Sequence, residues 1–434
     1  MAQLTREGGE IPVSKLKKNA NKKIGAPGNE KSNLLVEKFP VDLGIFEPLA
    51  RELQREAARV WNTVCSVHRT LYIRNHVWLN EAGMDDFVKG KFDLLHSQSV
   101  QAVVSTYYEA WERTRELREK GHTDWRYPYR KKYFFTVTWK RSAIKHRGTY
   151  LRLSNKRGVK SLELELPEHL KGAVIHQVQL VWHRNGYWLH VTVEKPALPE
   201  VQGDVYAAAD PGEVHALALT DGEEALVISG RLLRSLARLR NKELRKFQRA
   251  ISRTKKGSRR RKKLLAAKYK FLNWIERQME HILHAISAIV VRWCEKRKVK
   301  KLFYGDPSGV REKDCGRKYN QRMSQWPFGW LRKLVEYKLK LRGIAVEKKE
   351  EHGTSGTCPK CAGYTKQSGR VYKCGNKDCG FTGVHRDVVG ASGILDVNLN
   401  GEFTKDRKLP GEVIYVRPVL RKVKQRRKKH KTAA

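Results

Sequence analysis

The sequence contains no apolar run long enough to cross a bilayer; Ile282 to Val291 comes nearest to one and is broken by His284 and Ser287. Met1 to Gly28 is polar and basic and lacks the apolar centre of a signal peptide. A soluble, intracellular protein is therefore expected, in a compartment where thiols stay reduced. Acidic residues are scarce, 45 against 89 Lys and Arg, which leaves a formal charge of +44 on 434 residues. Self-repulsion of that size calls for a neutralising polyanion, and nucleic acid is the obvious one. A basic surface that is merely solvated is the alternative. Cysteine is sparse too, seven in all, and without disulfides the clustered ones point to metal. Cys65, Cys294 and Cys315 stand alone and read as ordinary core or surface residues.

Apolar residues make up 40% of the chain, enough to build two or three domains with real cores. Residues 1–33 lack hydrophobic periodicity and read as a basic flexible arm. Residues 34–199 read as a small β-barrel of wedge type, opened by the strand Leu34 to Val41 and interrupted at about 43–130 by a helical lobe. Helical stripes are carried by Leu53, Ala57, Val60 and Val64, and again by Val100, Val103, Tyr107 and Trp111. Short β-like runs follow, among them Tyr150 to Leu153, Val174 to Trp182 and Trp188 to Glu194.

Beyond the linker Pro196 to Gly203 the texture becomes α/β. The strand Val205 to Ala209 ends at Asp210, and a hairpin follows through the turn Asp221-Gly222. A long helical region from Leu232 to about Lys296 carries a basic break at Lys255 to Lys263. Strand Lys301 to Tyr304, helix Trp330 to Leu341, strand Ile344 to Val346 and a last helix complete the order of an RNase H-like fold. The expected domains are 200–356 and 383–400 for that fold, 357–382 for a metal-binding insertion and 401–434 for a basic tail.

Cys358-x-x-Cys361 followed by Cys374-x-x-x-x-Cys379 has the spacing of a ribbon holding one tetrahedral Zn2+. Four sulfurs close such a site, so the zinc is structural. Asp210 leaves a strand end in Ala-Ala-Asp-Pro-Gly, where an acid can hold a divalent cation; a plain Asp-Pro-Gly turn is the alternative. Asp387 opens the last helix in His385-Arg386-Asp387, where an acid also favours the helix dipole. Trp125-Arg126-Tyr127-Pro128-Tyr129-Arg130-Lys131 interleaves aromatics with cations, suited to stacking and phosphate contact, or to anchoring a loop. Lys255, Lys256, Arg259, Arg260 and Arg261 form a second candidate nucleic-acid contact, and the Lys/Arg-rich tail Arg421 to Lys431 adds electrostatic reach.

Thr354-Ser355-Gly356-Thr357 before the cysteine pairs, and Arg386-Asp387 after them, resemble the C-terminal block of TnpB-like proteins and compact type V CRISPR effectors. Ser252-Arg253-x-x-Lys256-Gly257-Ser258-x-x-Arg261 and Tyr337-Lys338 before Gly343-Ile344 are similar to the same family. The resemblance spans residues 205–396. It implies a RuvC-type site with two Mg2+ ions that cuts double-stranded target DNA beside a short recognition motif, guided by an RNA, in a prokaryotic cytoplasm on the nucleoid. Asp210 matches the first catalytic acid and Asp387 the last. The middle Glu of the family falls on Gly305, and Asp306 should face away from the site. Some relatives carry that acid where Glu351 stands here, although Glu351 also belongs to the charged run Glu347 to Glu351. Gly393 replaces a usual Asn. Two further functions stay open: a nuclease-dead, RNA-guided repressor of transcription, suggested by Gly305, and a zinc-ribbon DNA-binding protein of transposition that uses no guide.

Overall fold

The computed structural model describes residues 33–183, 186–196, 198–201, 203–307 and 314–419. The expected arm (but for Asn33) and the Arg421 to Lys431 cluster lie outside those residues. The chain divides after Pro196 into two compact units.

In the first unit, α1 (Glu47–Asn75), α2 (Glu81–Val88) and α3 (Ser97–Glu119) follow strand β1 (Asn33–Val41). Leu53, Ala57, Val60 and Val64 of α1 fall one turn apart and are fully buried. The buried carboxylate of Glu56 accepts the backbone N–H groups of Asp93, Leu94 and Leu95 at 2.7–3.0 Å, which fixes the entry into α3. Six strands come next: β2 (Val137–Lys140), β3 (Ile144–Arg147), β4 (Tyr150–Leu153), β5 (Leu162–Glu165), β6 (Ile175–His183) and β7 (Gly186–Lys195). They pair as two antiparallel sheets, β1-β7-β6-β2 and β3-β4-β5, which share one core with the helices. No ladder joins the two sheets into a continuous barrel among the described residues.

The second unit is built on a mixed six-stranded sheet in the order β12-β11-β8-β9-β10-β15. Its strands are β8 (Val205–Asp210), β9 (His215–Thr220), β10 (Glu224–Ser229), β11 (Val299–Asp306), β12 (Ala345–Glu350) and β15 (Glu412–Val416). The helices are α4 (Arg231–Ser252), α5 (Arg259–Lys296), α6 (Arg317–Gln325), α7 (Phe328–Lys340) and α8 (Arg386–Asn400), and a two-stranded ribbon pairs β13 (Val371–Lys373) with β14 (Thr382–His385). Parallel β8, β11 and β12 on one side of an antiparallel hairpin β8-β9-β10 form an RNase H-like arrangement. Ala207, Ala208 and Ala209 are small because both faces of β8 are covered. Ala207, Ala209, Leu302 and Tyr304 pack in the core that includes α5 and α7. Ala208 and Phe303 pack instead on Ile394 and Leu395 of α8.

Two expectations need correction. The helical break is confined to residues 253–258, because Ser258 caps α5 by accepting the Arg261 N–H, and Arg259 to Lys263 are already helical. The segment read as a basic tail contains β15, which pairs in parallel with β10 through its alternating Val413 and Tyr415 against Ala225 and Val227. Strand β3 and helix α6 had no legible sequence signal.

Candidate functional site

Three carboxylates meet on the α8 face of the sheet. Ala209 lies beside Tyr304 in the β8-β11 register, so the next pair along is Asp210 and Gly305. Gly305 in turn lies beside Lys349, and Glu351, two residues on, returns to the same face. The Glu351 side chain then bends over Gly305: a Cβ placed there would stand 2.7 Å from Glu351 Cγ and would overlap its carboxylate. Thr354 fixes the turn, since both its N–H and its hydroxyl donate to the Glu351 carbonyl, at 3.2 and 2.9 Å. Asp210 packs on the backbone of α8 at Gly390, where a Cβ would meet its carboxylate. Gly393 lies against the Thr354 backbone, with room for no side chain: a Cβ would sit 2.9 Å from the Thr354 carbonyl oxygen.

Asp387 stands in the first turn of α8, whose cap is the imidazole of His385 accepting the Asp387 N–H at 3.2 Å. Its Oδ2 lies 2.8 Å from His215 Nδ1, at the start of β9. Two guanidiniums stand close, Arg386 at 3.7 Å and Arg370 of the ribbon at 3.8 Å. Asp306 belongs to the opposite face, with Tyr304, and pairs with Lys348.

Burial pushes Asp210 and Glu351 well above the usual carboxylate range. The charge of Asp387 adds to the effect on Asp210, and those of Asp210 and Asp306 add to the effect on Glu351. Burial would raise Asp387 as well, but the His215 hydrogen bond, with His385 and Arg386, outweighs it and holds the group low. Glu351 Oε1 is buried without a hydrogen-bond partner. An orphaned carboxylate oxygen near the Asp210 carboxylate, which in turn stands near Asp387, offers the oxygen donors that hard divalent cations take. A cavity of about 320 Å³ opens beside the acids, walled by Asp210, Ser355, Arg370, Arg386 and Asp387.

The four ribbon cysteines converge. Cys358 and Cys379 lie with Sγ atoms 3.7 Å apart, as do Cys361 and Cys374, and all four Sγ atoms fall within 4.8 Å of one another. Tetrahedral zinc with bonds of about 2.3 Å sets its sulfurs about 3.8 Å apart, so the cluster fits zinc. Arg407 N–H and Asp406 N–H donate to the carbonyls of Pro359 and Lys360, and tie the chain beyond α8 back to the first cysteine turn. The ribbon also reaches the acids, through Arg370.

The other sequence-derived candidates are residues 125–131 of the first unit and residues 255–261 of the second. Trp125, Arg126, Arg130 and Lys131 are exposed. Tyr127 stacks on Trp111, and Tyr129 receives Arg69 over its ring. The backbone here is pinned to α1 by Trp61 and Asn62, whose side chains donate to the carbonyls of Arg130 and Lys132. This segment is thus an anchored loop that also displays cations. Lys255, Lys256, Arg259 and Arg260 are exposed at the α4-α5 tip. Arg261 is half-buried and donates to the carbonyls of Ile251 and Thr254, at and just past the end of α4. His215, His385 and Arg370 were missed in the sequence. Only the placement of His385 next to Arg386-Asp387 could have signalled any of them.

Residues 189–311 match the family OrfB_IS605, described as "Probable transposase", and residues 328–394 match "Cas12f1-like, TNB domain". The chain is 33% identical over 138 residues to TnpB-like protein MJ0751 of Methanocaldococcus jannaschii, across 31% of this chain and 48% of the relative. It thus spans about half the length of that curated relative. In a solved Cas12f1-sgRNA-target DNA complex, the protein shares the fold at TM-score 0.57 and 14% identity, over 81% of this chain and 82% of that one. CasPhi-2 (Cas12j) bound to crRNA gives TM-score 0.44 at 11% identity, over 87% of this chain and all of that one. No helix among the described residues is long and apolar enough to cross a membrane. In sequence the chain is thus similar in part to a TnpB-like protein, to a probable-transposase family over residues 189–311 and to the Cas12f1-like TNB domain over residues 328–394, and it shares a fold with Cas12f1.

Proposed function

We propose that this protein is an RNA-guided DNA endonuclease with a single RuvC-like site. The observation that carries the proposal is the gathering of Asp210, Glu351 and Asp387 on one sheet face, with a Glu351 oxygen near Asp210 that has no hydrogen-bond partner. The charge of +44 and the fold likeness to a protein solved with sgRNA and target DNA support the partners.

Asp210, Glu351 and Asp387 would hold two Mg2+ ions. Bound there, the ions supply an activated water and charge stabilisation for in-line displacement at a phosphodiester. Burial raises both Asp210 and Glu351, so ions binding there would compete with protons. Arg370 and Arg386 border the cavity and would receive the scissile phosphate. His215 Nδ1 lies within hydrogen-bond distance of one Asp387 oxygen. The four-cysteine ribbon would carry structural zinc, with no open position for chemistry. Guide pairing would read the target sequence, and the protein would read only a short duplex motif beside it.

Purified protein should carry a discrete RNA, and the reconstituted complex should cut targets that pair with it in Mg2+. Binding without cutting would favour a nuclease-dead repressor, the function that Gly305 suggests. Specific DNA binding without any RNA would favour the guide-free zinc-ribbon protein.

A further inference from the structure

Beside the acids lies a second ligand set. One atom from each of His215, His385 and Asp387 falls within 4.8 Å of the others. His215 Nδ1 and Asp387 Oδ2 are 2.8 Å apart, and the two imidazole rings stand nearly perpendicular with centroids at 4.8 Å. Neighbouring ligands on one ion, each about 2.1 Å from it, stand about 3 Å apart when they subtend a right angle, so the 2.8 Å pair suits adjacent coordination. All three residues are partly exposed, and Asp387 also lines the cavity that leads to the acids. An ion can therefore enter.

We propose that His215, His385 and Asp387 form a site for a divalent first-row transition ion. The inference shares Asp387 with the nuclease proposal and rests on it only for its consequence, that such an ion occupies part of the catalytic centre. Two imidazoles with one carboxylate form a mixed donor set that suits Mn2+, Fe2+, Ni2+ or Zn2+ and suits Mg2+ poorly. The field of the site adds to this preference. Arg370 and Arg386, at 3.8 and 3.7 Å from Asp387, offset its charge. That offset penalises Mg2+, which is drawn mainly by charge, more than an ion held by neutral nitrogen. The cysteine ribbon offers only sulfur, so a zinc-loaded protein leaves this site open to a harder probe.

The probe is Mn2+, added to full-length, zinc-loaded protein and followed by paramagnetic resonance. Nitrogen coupling to the bound ion reports imidazole ligation directly. The unmodified protein should bind Mn2+ with nitrogen coupling, and a roughly tenfold excess of Mg2+ should not displace it. His215→Gln keeps an amide donor to Asp387, and His385→Asn keeps a helix cap, so both should fold, which thermal melting checks. The double variant should lose the nitrogen coupling and bind Mn2+ about tenfold more weakly or worse. Mn2+ bound by the unmodified protein without nitrogen coupling, or nitrogen coupling kept by the folded double variant, would overturn the proposal and leave the histidines as hydrogen-bond partners of Asp387. No Mn2+ binding would overturn it as well. Glu351→Gln separates this from the nuclease proposal: it should abolish cutting yet retain nitrogen-coupled Mn2+. If the unmodified protein never cuts but binds Mn2+ through nitrogen, the metal site stands and the nuclease falls.

Discussion

The Glu351 carboxylate fills the space above Gly305, so that a Cβ on residue 305 would stand 2.7 Å from Glu351 Cγ. The two positions are complementary: one strand end gives up its side chain and the next supplies a carboxylate in the same volume. Gly305→Ala should therefore either displace Glu351 or strain the β11-β12 edge, at a cost of about 1–3 kcal/mol. Denaturant unfolding of the variant should show that loss, and Gly305→Ala paired with Glu351→Ala should recover part of it. Equal stability of Gly305→Ala and the unmodified protein would mean that the two residues do not share this space.

The ribbon should bind one zinc per chain. Cys358→Ser or Cys379→Ser should lower both the zinc content, measured by elemental analysis, and the melting temperature, because a structural site contributes folding energy directly. Arg370 links the ribbon to Asp387, so zinc loss should also depress any cleavage. Full zinc occupancy in either variant would contradict the assignment.

Arginines at the helical tip should separate by role. Arg259→Ala and Arg260→Ala should each reduce the salt dependence of nucleic-acid binding by about one phosphate contact, without loss of stability. Arg261→Ala removes a cation that donates to two carbonyls at the end of α4, and should lower stability by about 1 kcal/mol with little change in salt slope. Parallel melting curves and salt titrations check this division.

The first unit should lose stability as acid is added. His68 is buried among Trp78, Tyr107, Tyr108 and Trp111, and burial lowers its pKa to about 4. An unfolded His titrates near about 6.5. Between those values the unfolded chain binds more protons, so stability rises with pH across that window and falls as pH drops through it. Tryptophan-monitored melts from about pH 7.5 to about pH 4.5 should show the loss, and His68→Gln should flatten it. An unchanged slope in the variant would assign the pH dependence elsewhere.

Elements with strong local patterns were legible from sequence. The α1 and α3 stripes, the small-residue strand ending at Asp210 and the spacing of the four ribbon cysteines all carry their structural meaning in consecutive residues. Strand β15 was hidden because only its partner β10, nearly two hundred residues earlier, makes it a strand; alone it is a short run in a basic segment. Arg261 looked like its exposed neighbours, and only the end of α4 gives it a carbonyl partner. His215 reaches Asp387 across 172 residues, a pairing that no local motif encodes. Asp306 and Glu351 were separable by strand parity, yet the way Glu351 bends over Gly305 depends on the Thr354 turn.

The most direct test is cleavage by Glu351→Gln against Asp306→Asn, with guided target binding measured in parallel. Glu351 shares a face with Asp210 and Asp387, whereas Asp306 pairs with Lys348 on the other face. Loss of one metal-holding carboxylate should lower the rate by roughly a hundredfold or more, or about 3 kcal/mol of barrier. The account predicts that Glu351→Gln binds target normally and fails to cut, while Asp306→Asn cuts within a few-fold of the unmodified protein. Normal cutting by Glu351→Gln together with none by Asp306→Asn would contradict it.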